Sequence, residues 1–500
     1  MSDARITGAE PLATGSPAGP STTGARPGES TTGEPMPFVR KGLLRLSWPL
    51  LVVTVLTLLA TLGNVMLLSM ASPELNAAVS TSNQILGVMY DISVVFSIGA
   101  LVVIAQLLGA GSFAAARRSS VIALRAASIL GLGIAAFIAA FAPMLLRLVN
   151  TPDEIYSDAL AYLWVVAAGL AFNAYIVTAS AVLRAYGRTP ALLLLGIIVN
   201  VFDVLLLFFF LQVMELGAVG AALPTLLVRG AGVLVLALLI RSRTGARFFG
   251  KLVDDDVPAA SVDWARGRGG VGSMVRLSIP TVIENGAYNL VIVFTVSLIN
   301  VLGTDAINAR SYTLTLTALV TGVILALAQG NETIVGWDVG GGARARARRQ
   351  TVRAMVWTAV ASAVLALALW FFADAALSIF GVNNDVLEQA RDALLISALL
   401  LPLSAMSATL FGALRSAGDV LIPMGMSLFA SVVVLLPVSW LFIAQWEMGV
   451  RGVFWALVIA EAVKAGLLLA RLLGERWLAS DSSTSAVSAG YRPYKGDMER

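Results

Sequence analysis

Residues 276–285 read R-L-S-I-P-T-V-I-E-N and repeat the pattern of residues 45–49, R-L-S-W-P, near the start of the first apolar segment. The shared proline recurs after 231 positions. The same spacing separates residues 183–187, L-R-A-Y-G, from residues 414–418, L-R-S-A-G. Two matches at one period predict that the chain contains two copies of one unit, the second of which begins near residue 276.

The composition is typical of a membrane protein. Of the 500 residues, 58% are hydrophobic and 13% are charged, whereas soluble domains carry about 25% charged residues. The chain contains no cysteine and no histidine, which excludes disulfides, thiolate chemistry and the commonest metal ligand. The net charge of +4 is explained by basic connections between apolar segments and does not indicate nucleic-acid binding. We therefore predict an all-α integral membrane protein.

Twelve apolar segments are long enough to be transmembrane helices, which need roughly 20 residues. They cover residues 43–70, 78–108, 120–146, 156–183, 190–213, 217–241, 273–301, 306–336, 352–380, 387–414, 420–444 and 449–473. Each copy of the repeat then holds six spans. Because six is even, both copies enter the membrane from the same side, as in transporters built from parallel repeats.

The predicted domains follow from these spans. Two six-helix lobes, residues 38–241 and 273–474, are joined by a cytoplasmic linker, residues 242–272. The terminal segments, residues 1–37 and 475–500, are rich in small and polar residues. They offer too little apolar surface to offset the entropy of ordering, so we expect both to be disordered.

Basic residues are concentrated in alternate connections. One set of connections carries Arg117, Arg118, Arg184, Arg188, Arg241, Arg243, Arg247, Lys251, the arginines of 344–349, and Arg415. The other set carries mainly acidic residues: Glu74, Asp153, Glu154, Glu215, Asp305, Asp385 and Glu447. Because Lys and Arg favour the cytoplasmic side, we predict a multi-pass protein of the bacterial inner (plasma) membrane with both termini in the cytoplasm.

Several stretches resemble those of a known transporter family. They are 105–111 (A-Q-L-L-G-A-G) with 116–118 (A-R-R), the paired turns 183–187 and 414–418, and 217–222 (G-A-V-G-A-A). Together they are similar to the multidrug and toxic compound extrusion (MATE) family, within the wider group that includes polysaccharide and lipid-linked-sugar flippases. The resemblance covers about residues 38–475. It implies two lobes around a central cavity, and export of cationic, amphipathic molecules against entry of sodium or protons.

Four carboxylates lie within apolar segments: Asp91, Asp203, Glu284 and Glu332. Ionisable groups at membrane depth are costly and usually face a cavity or a partner. Glu284 shares a helical face with Tyr288, and Asn285 flanks that face. We interpret this face as part of a cavity and Glu284 as a cation- or proton-coupling residue. The alternative is a structural carboxylate that is hydrogen-bonded to a neighbouring helix.

The first copy of the repeat offers further candidates. Asp203 lies where relatives often carry an acidic residue, with Asn200 on the same face, and we expect Asp203 and Asp91 to be coupling residues. Asn64 stands where many relatives have Asp. An asparagine cannot release a proton, although its carbonyl can coordinate sodium; alternatively, Asn64 is a helix-packing amide.

The remaining candidates complete the predicted binding site. We expect the substrate cavity to be lined by Asn64, Asn200, Tyr288, Asn285 and Glu332. Glu332 lies close in sequence to the arginines of 344–349, which suggests a gate or an interfacial ion pair. Glu461 and Lys464, three positions apart on one helix, are expected to neutralise each other.

The expected function is secondary active efflux of amphipathic organic cations in exchange for H+ or Na+, by alternating access. Such a transporter needs no cofactor beyond the coupling ion, sits in membrane lipid and is expected to work as a monomer. The alternative is a flippase for a lipid-linked sugar or another amphipathic lipid precursor. A flippase cavity for anionic precursors should be basic, whereas the charges within the apolar segments are mostly acidic. A membrane enzyme is disfavoured because the chain lacks His and Cys.

Overall fold

The computed structural model describes residues 40–244, 270–378 and 383–474. Twelve helices in these ranges are long and apolar enough to span a membrane, and no strand occurs among the described residues, which confirms the predicted all-α membrane fold. We number these helices α1 (Leu43–Ala71), α2 (Glu74–Gly109), α3 (Phe113–Leu148), α4 (Asp153–Ala185), α5 (Thr189–Val213), α6 (Gly217–Ser242), α7 (Val271–Asn300), α8 (Thr304–Gly340), α9 (Arg344–Phe371), α10 (Asn384–Ser416), α11 (Leu421–Gln445) and α12 (Gly449–Leu473). Below, α1–α6 are called the first half and α7–α12 the second half.

Several helix ends differ from those predicted. α3 begins at Phe113 and α9 at Arg344, ahead of the predicted starts at residues 120 and 352. Hydropathy detects only the lipid-embedded part of a helix, whereas the Ala and Arg residues of these turns have high helix propensity. α9 also ends early, at Phe371 instead of residue 380, and a short helix, Ala373–Ser378, follows. Within the described ranges, the arginine-bearing stretches are therefore mostly helical, and the connections are short.

The predicted linker and terminal segments fall largely outside the structure. Residues 1–37 and 475–500 are not among the described residues, nor are residues 245–269 of the linker. Their predicted disorder and the predicted domain limits stay predictions.

The sequence repeat reappears in the turns between helices. Gly111 and Gly342, after α2 and α8, have φ angles of 76° and 74°. Gly187 and Gly418, after α4 and α10, have φ angles of 70° and 91°. The members of each pair are 231 positions apart. Glycine adopts positive φ without steric cost, so the glycines of the matching motifs lie where each copy of the unit reverses direction.

Basic residues gather at the end of the bundle where α1 and α7 begin, which we call the arginine end. Lys41 precedes α1, and its pKa is lowered by burial and by the positive charges of Arg188 and Arg45. Arg40 forms an ion pair with Asp338, close to the end of α8. The flank of α1, the turn between α4 and α5, and the end of α8 thus meet at one end, in agreement with their predicted placement on one side.

The two halves are joined at the arginine end by a pair of equivalent hydrogen bonds. Gln106 Nε2 in α2 donates to the backbone oxygen of Ser416 in α10, over 2.8 Å. Trp337 Nε1 in α8 donates to the backbone oxygen of Ala185 in α4, also over 2.8 Å. The two donors are 231 positions apart, and so are the two acceptors. These four residues define what we call the seam, and the repeat relates its two hydrogen bonds to each other.

Two glycines allow the helix backbones to touch within the seam. A Cβ atom placed on Gly109 of α2 would overlap the backbone oxygen of Trp337. A Cβ atom on Gly340 of α8 would overlap the backbone oxygen of Gln106. Gly109 and Gly340 are again 231 positions apart. A larger residue at either position would push α2 and α8 apart, so the seam depends on glycine.

Candidate functional site

A cavity of about 1080 Å³ lies between the two halves, next to the seam. Four helices from each half line it: α1, α2, α4 and α5, and α7, α8, α10 and α12. About half of the lining side chains are aliphatic or aromatic, and most of the others are hydroxyl, amide or charged groups. Drug-sized ligands occupy pockets of about 300–1,000 Å³, so this cavity has room for such a molecule.

The structure brings together five of the predicted site residues. Glu284, Asn285 and Tyr288 of α7, Glu332 of α8 and Asn200 of α5 all line the cavity. This confirms that the Glu284 face points into a cavity. The other predicted residues, Asn64, Asp91 and Asp203, are not among the described residues that line it. Asn64 does not line this cavity, and its assignment to a substrate-binding site stays a prediction.

The carboxylates of the cavity are all paired with basic side chains. Arg415 Nε donates to Glu332 Oε1 over 2.8 Å, and Arg415 Nη2 forms an ion pair with the same oxygen at 2.8 Å. Lys464 Nζ lies 3.5 Å from Glu284 Oε1 and 3.9 Å from Glu461 Oε1. The predicted pairing of Glu461 with Lys464 is thus present, but Lys464 serves two carboxylates. We call Glu284, Glu461 and Lys464 the triad.

Glu332 has a different partner from the one its sequence position suggested. Its ion pair is with Arg415 at the end of α10, and not with the arginines of 344–349. Because α8 continues past Glu332 to Gly340, two more helical turns separate Glu332 from the start of α9. The hydroxyl of Ser416 also donates to the backbone oxygen of Glu332, over 2.7 Å.

The cavity as a whole is not acidic. Its lining includes three carboxylates, those of the triad and Glu332, and four cationic side chains: Arg184, Arg310, Arg415 and Lys464. The charges within the apolar segments are mostly acidic, but Arg184 and Arg415, which the sequence places in connections, also line the cavity. The sequence did hold a signal: Arg184 and Arg415 are matching residues of the repeat, 231 positions apart.

A second polar cluster lies within the first half. Asn64 Nδ2 of α1 donates to Asp203 Oδ2 of α5, over 2.8 Å. Asn64 Oδ1 is buried without a hydrogen-bond partner among the described residues. Arg229 of α6 lies within electrostatic range of Asp203. It also donates to the hydroxyl of Tyr90 over 3.0 Å, with its guanidinium 5.0 Å from the centre of that ring. Asn64 therefore ties two helices together and provides a hydrogen bond to the carboxylate.

Asp91 has a partner in the other half. Asn289 Nδ2 of α7 donates to Asp91 Oδ2 of α2, over 3.3 Å. Both side chains are exposed. Along α2, Asp91 lies farther from the seam than Val94 and Ile98, which line the cavity. The hydrogen bond between Asp91 and Asn289 thus connects the halves away from the arginine end.

Comparison with known proteins finds a matching family model and similar transporters. A family model described as MatE matches residues 49–209 and 280–441. The two matched ranges begin 231 positions apart, which is the period of the repeat.

Two curated relatives are similar over most of their length. The uncharacterized transporter YisQ of Bacillus subtilis (strain 168) is 24% identical over 441 residues, which cover 87% of this chain and 94% of YisQ. The probable multidrug resistance protein NorM of Thermotoga maritima is 24% identical over 449 residues, which cover 89% of this chain and 94% of NorM.

A solved structure shares the fold. The crystal structure of a mutant of the Vibrio cholerae MATE transporter VcmN aligns with a TM-score of 0.79 and 19% sequence identity. The alignment covers 89% of this chain and 98% of that chain. The twelve helices and the cavity between two halves therefore belong to a fold that has been observed experimentally.

Proposed function

Because the chain belongs to the MatE family of multidrug efflux transporters, we propose that it exports amphipathic organic cations in exchange for H+ or Na+. The observation that carries this proposal is the position of the cavity, which takes four lining helices from each half and adjoins the seam. If the halves part at the seam and close around the opposite end, the cavity changes the side to which it opens, which is alternating access.

The triad is the proposed site of exchange. Two carboxylates share one ammonium group, so with all three groups ionised the triad carries one excess negative charge. A cationic substrate group or a coupling ion can neutralise that charge. Because they compete for the same carboxylates, the substrate leaves when the ion arrives, and exclusive occupancy gives antiport.

Two further carboxylates are proposed coupling residues outside the cavity. Asp203 accepts a hydrogen bond from Asn64, and Asp91 accepts one from Asn289. Neither lines the cavity, so an ion bound at either would act on the helix arrangement and would not compete directly with substrate. The flippase alternative is not favoured, since the relatives are named as a transporter and a multidrug resistance protein.

Glu284→Gln tests the proposal. The variant keeps the size of the side chain but removes its charge and its proton. In proteoliposomes with separately imposed sodium and proton gradients, we expect wild-type protein to export a cationic dye. We expect the variant to lose gradient-driven export while remaining folded, because a neutral amide at membrane depth costs less than a charge.

Glu388→Gln is the matched control, since Glu388 lies near the start of α10 with its side chain 77% exposed. It should export at the wild-type rate. If Glu284→Gln also keeps the wild-type rate and ion dependence, Glu284 is a packing residue and coupling must be sought at Asp203 or Asp91. If the wild-type protein moves only lipid-linked sugars, the flippase alternative is correct.

A further inference from the structure

One cation of the cavity is left without a partner. Arg310 lies within α8, lines the cavity and is half-buried. It forms neither a hydrogen bond nor an ion pair with any residue that the structure describes. Charged groups at membrane depth normally have a partner. The guanidinium of Arg310 is therefore available to a molecule that enters the cavity.

The other three cationic side chains that line the cavity each have a partner within the protein. Arg415 holds Glu332 over 2.8 Å, and Lys464 lies between the carboxylates of the triad. Arg184 donates to the amide oxygen of Gln329. Every carboxylate that lines the cavity is thus engaged by Arg415 or Lys464. An anion for Arg310 has to come from outside the protein.

The surroundings of Arg310 suggest what such a ligand looks like. Tyr288 of α7, one helical turn after Glu284, lies close to Arg310 as well as to the triad. The same part of the cavity thus contains a spare positive charge at Arg310 and a spare negative charge at the triad. Apolar side chains, among them Ile292 and Leu314, line the wall near these groups. A ligand that satisfies this site has an apolar body, a cationic group and a separate anionic group.

We propose that Arg310 is a specificity-determining residue that binds the carboxylate of a transported amphipathic compound. A planar guanidinium can donate two parallel hydrogen bonds to a carboxylate, which suits it to this role better than an ammonium group. The proposal rests on the proposed efflux function and narrows its substrates: compounds that carry a carboxylate as well as a cationic group are preferred over simple cations.

Two related dyes test this preference. Rhodamine 110 carries a free carboxylate, and rhodamine 123 is its methyl ester, so the pair differs only at the group that Arg310 would bind. In proteoliposomes, we expect the wild-type protein to export rhodamine 110 with the lower KM. Arg310→Gln should raise the KM for rhodamine 110 by about tenfold or more, as for loss of a charged hydrogen bond. The same substitution should not raise the KM for rhodamine 123, which has no carboxylate for Arg310 to bind.

Two variants serve as controls. Arg310→Lys keeps the charge but not the fork of donors, so its KM for rhodamine 110 should be intermediate. Arg451→Gln removes an exposed arginine that pairs with Glu388 and Asp392 away from the cavity. It should change the KM for neither dye. If Arg310→Gln weakens the export of both dyes equally, Arg310 has a structural role and the proposal is wrong.

The remaining outcomes separate the proposal from the function on which it rests. Export of rhodamine 123 without preference for rhodamine 110 would overturn the role of Arg310 and leave cation efflux intact. If neither dye is exported, the proposed cation efflux fails, and fluorescence anisotropy of rhodamine 110 with the purified protein decides the matter. Binding that Arg310→Gln weakens would support the anion subsite, whereas binding that is absent or unaffected would overturn it.

Discussion

Individual side chains in the cavity are held by partners from other helices, and the pair of Glu332 and Arg415 is the most enclosed. The side chains of Glu332 and Arg415 are 4% and 16% exposed, and they are joined by a hydrogen bond and an ion-pair contact, both of 2.8 Å. Glu332 is almost fully buried and Arg415 is largely buried, so the surrounding protein limits how far water can replace a lost partner. The pair connects α8 to α10 beside Ser416 of the seam. Loss of the pair should therefore destabilise the second half.

We predict that Glu332→Gln destabilises the protein by about 3–5 kcal/mol, because it leaves the guanidinium of Arg415 buried without a counter-charge. The midpoint of thermal unfolding in detergent would fall clearly below that of the wild type. Replacing both groups, as in Glu332→Leu with Arg415→Met, should recover most of the loss, since apolar residues can substitute for a buried pair. A single variant that is as stable as the wild type would show that solvent reaches Arg415.

At the level of helices, the contact between α2 and α8 depends on the absence of side chains. Gly109 and Gly340 bring backbone atoms together, and Gly336 of α8 likewise leaves no space for a Cβ beside Ala105. Small residues at helix interfaces permit such close approach in membranes. The glycines that look like helix breakers in the sequence are therefore what allows the seam to close.

We predict that Gly340→Ala shifts the protein away from the closed seam, because the added methyl group overlaps the backbone of Gln106 and overpacking costs about 1–3 kcal/mol. A cysteine at Ser404, in the cavity lining, reports the change. An impermeant maleimide added to inverted vesicles should label it faster in Gly340→Ala than in the parent.

Gly87→Ala is the control for this experiment, since nothing lies within 4 Å of a Cβ atom at Gly87 of α2. In this control, the maleimide should label the cysteine of Ser404→Cys at the same rate as in the parent. Equal labelling in Gly340→Ala and Gly87→Ala would mean that the seam tolerates the methyl group and does not limit access to the cavity.

For the molecule as a whole, the main untested prediction is its orientation in the membrane. The arginine end should face the cytoplasm. Because the chain has no cysteine, single cysteines can be added without background. Ala345→Cys, exposed at the start of α9, should be labelled by an impermeant maleimide only in inverted vesicles. Glu154→Cys, exposed at the start of α4, should be labelled in intact cells. The reverse pattern would invert the topology.

The fold was more predictable from the sequence than the site was. The recurrence of the Pro49 motif at Pro280 and the long apolar runs sufficed for twelve helices in two matching sets, because a bilayer imposes span length directly. Spacing along one helix also placed Glu284 and Tyr288 correctly in a cavity. The partners of these residues come from other helices, and helix packing within the membrane is not encoded in hydropathy. For that reason Arg415 could not be assigned as the counter-charge of Glu332, or Lys464 as that of Glu284, and Arg310 was overlooked.

The two equivalent hydrogen bonds of the seam also bear on whether the protein leaks ions across a membrane that carries a voltage. A separation of the two halves that keeps them related by the repeat lengthens the bond from Gln106 to Ser416 and the bond from Trp337 to Ala185 together. Packed interfaces of this kind switch between discrete arrangements and do not stretch gradually. We therefore expect the seam to open as a unit, with both hydrogen bonds broken together and no half-open form that conducts water and ions. Turnover then need not dissipate the voltage and ion gradients that other proteins of the same membrane depend on.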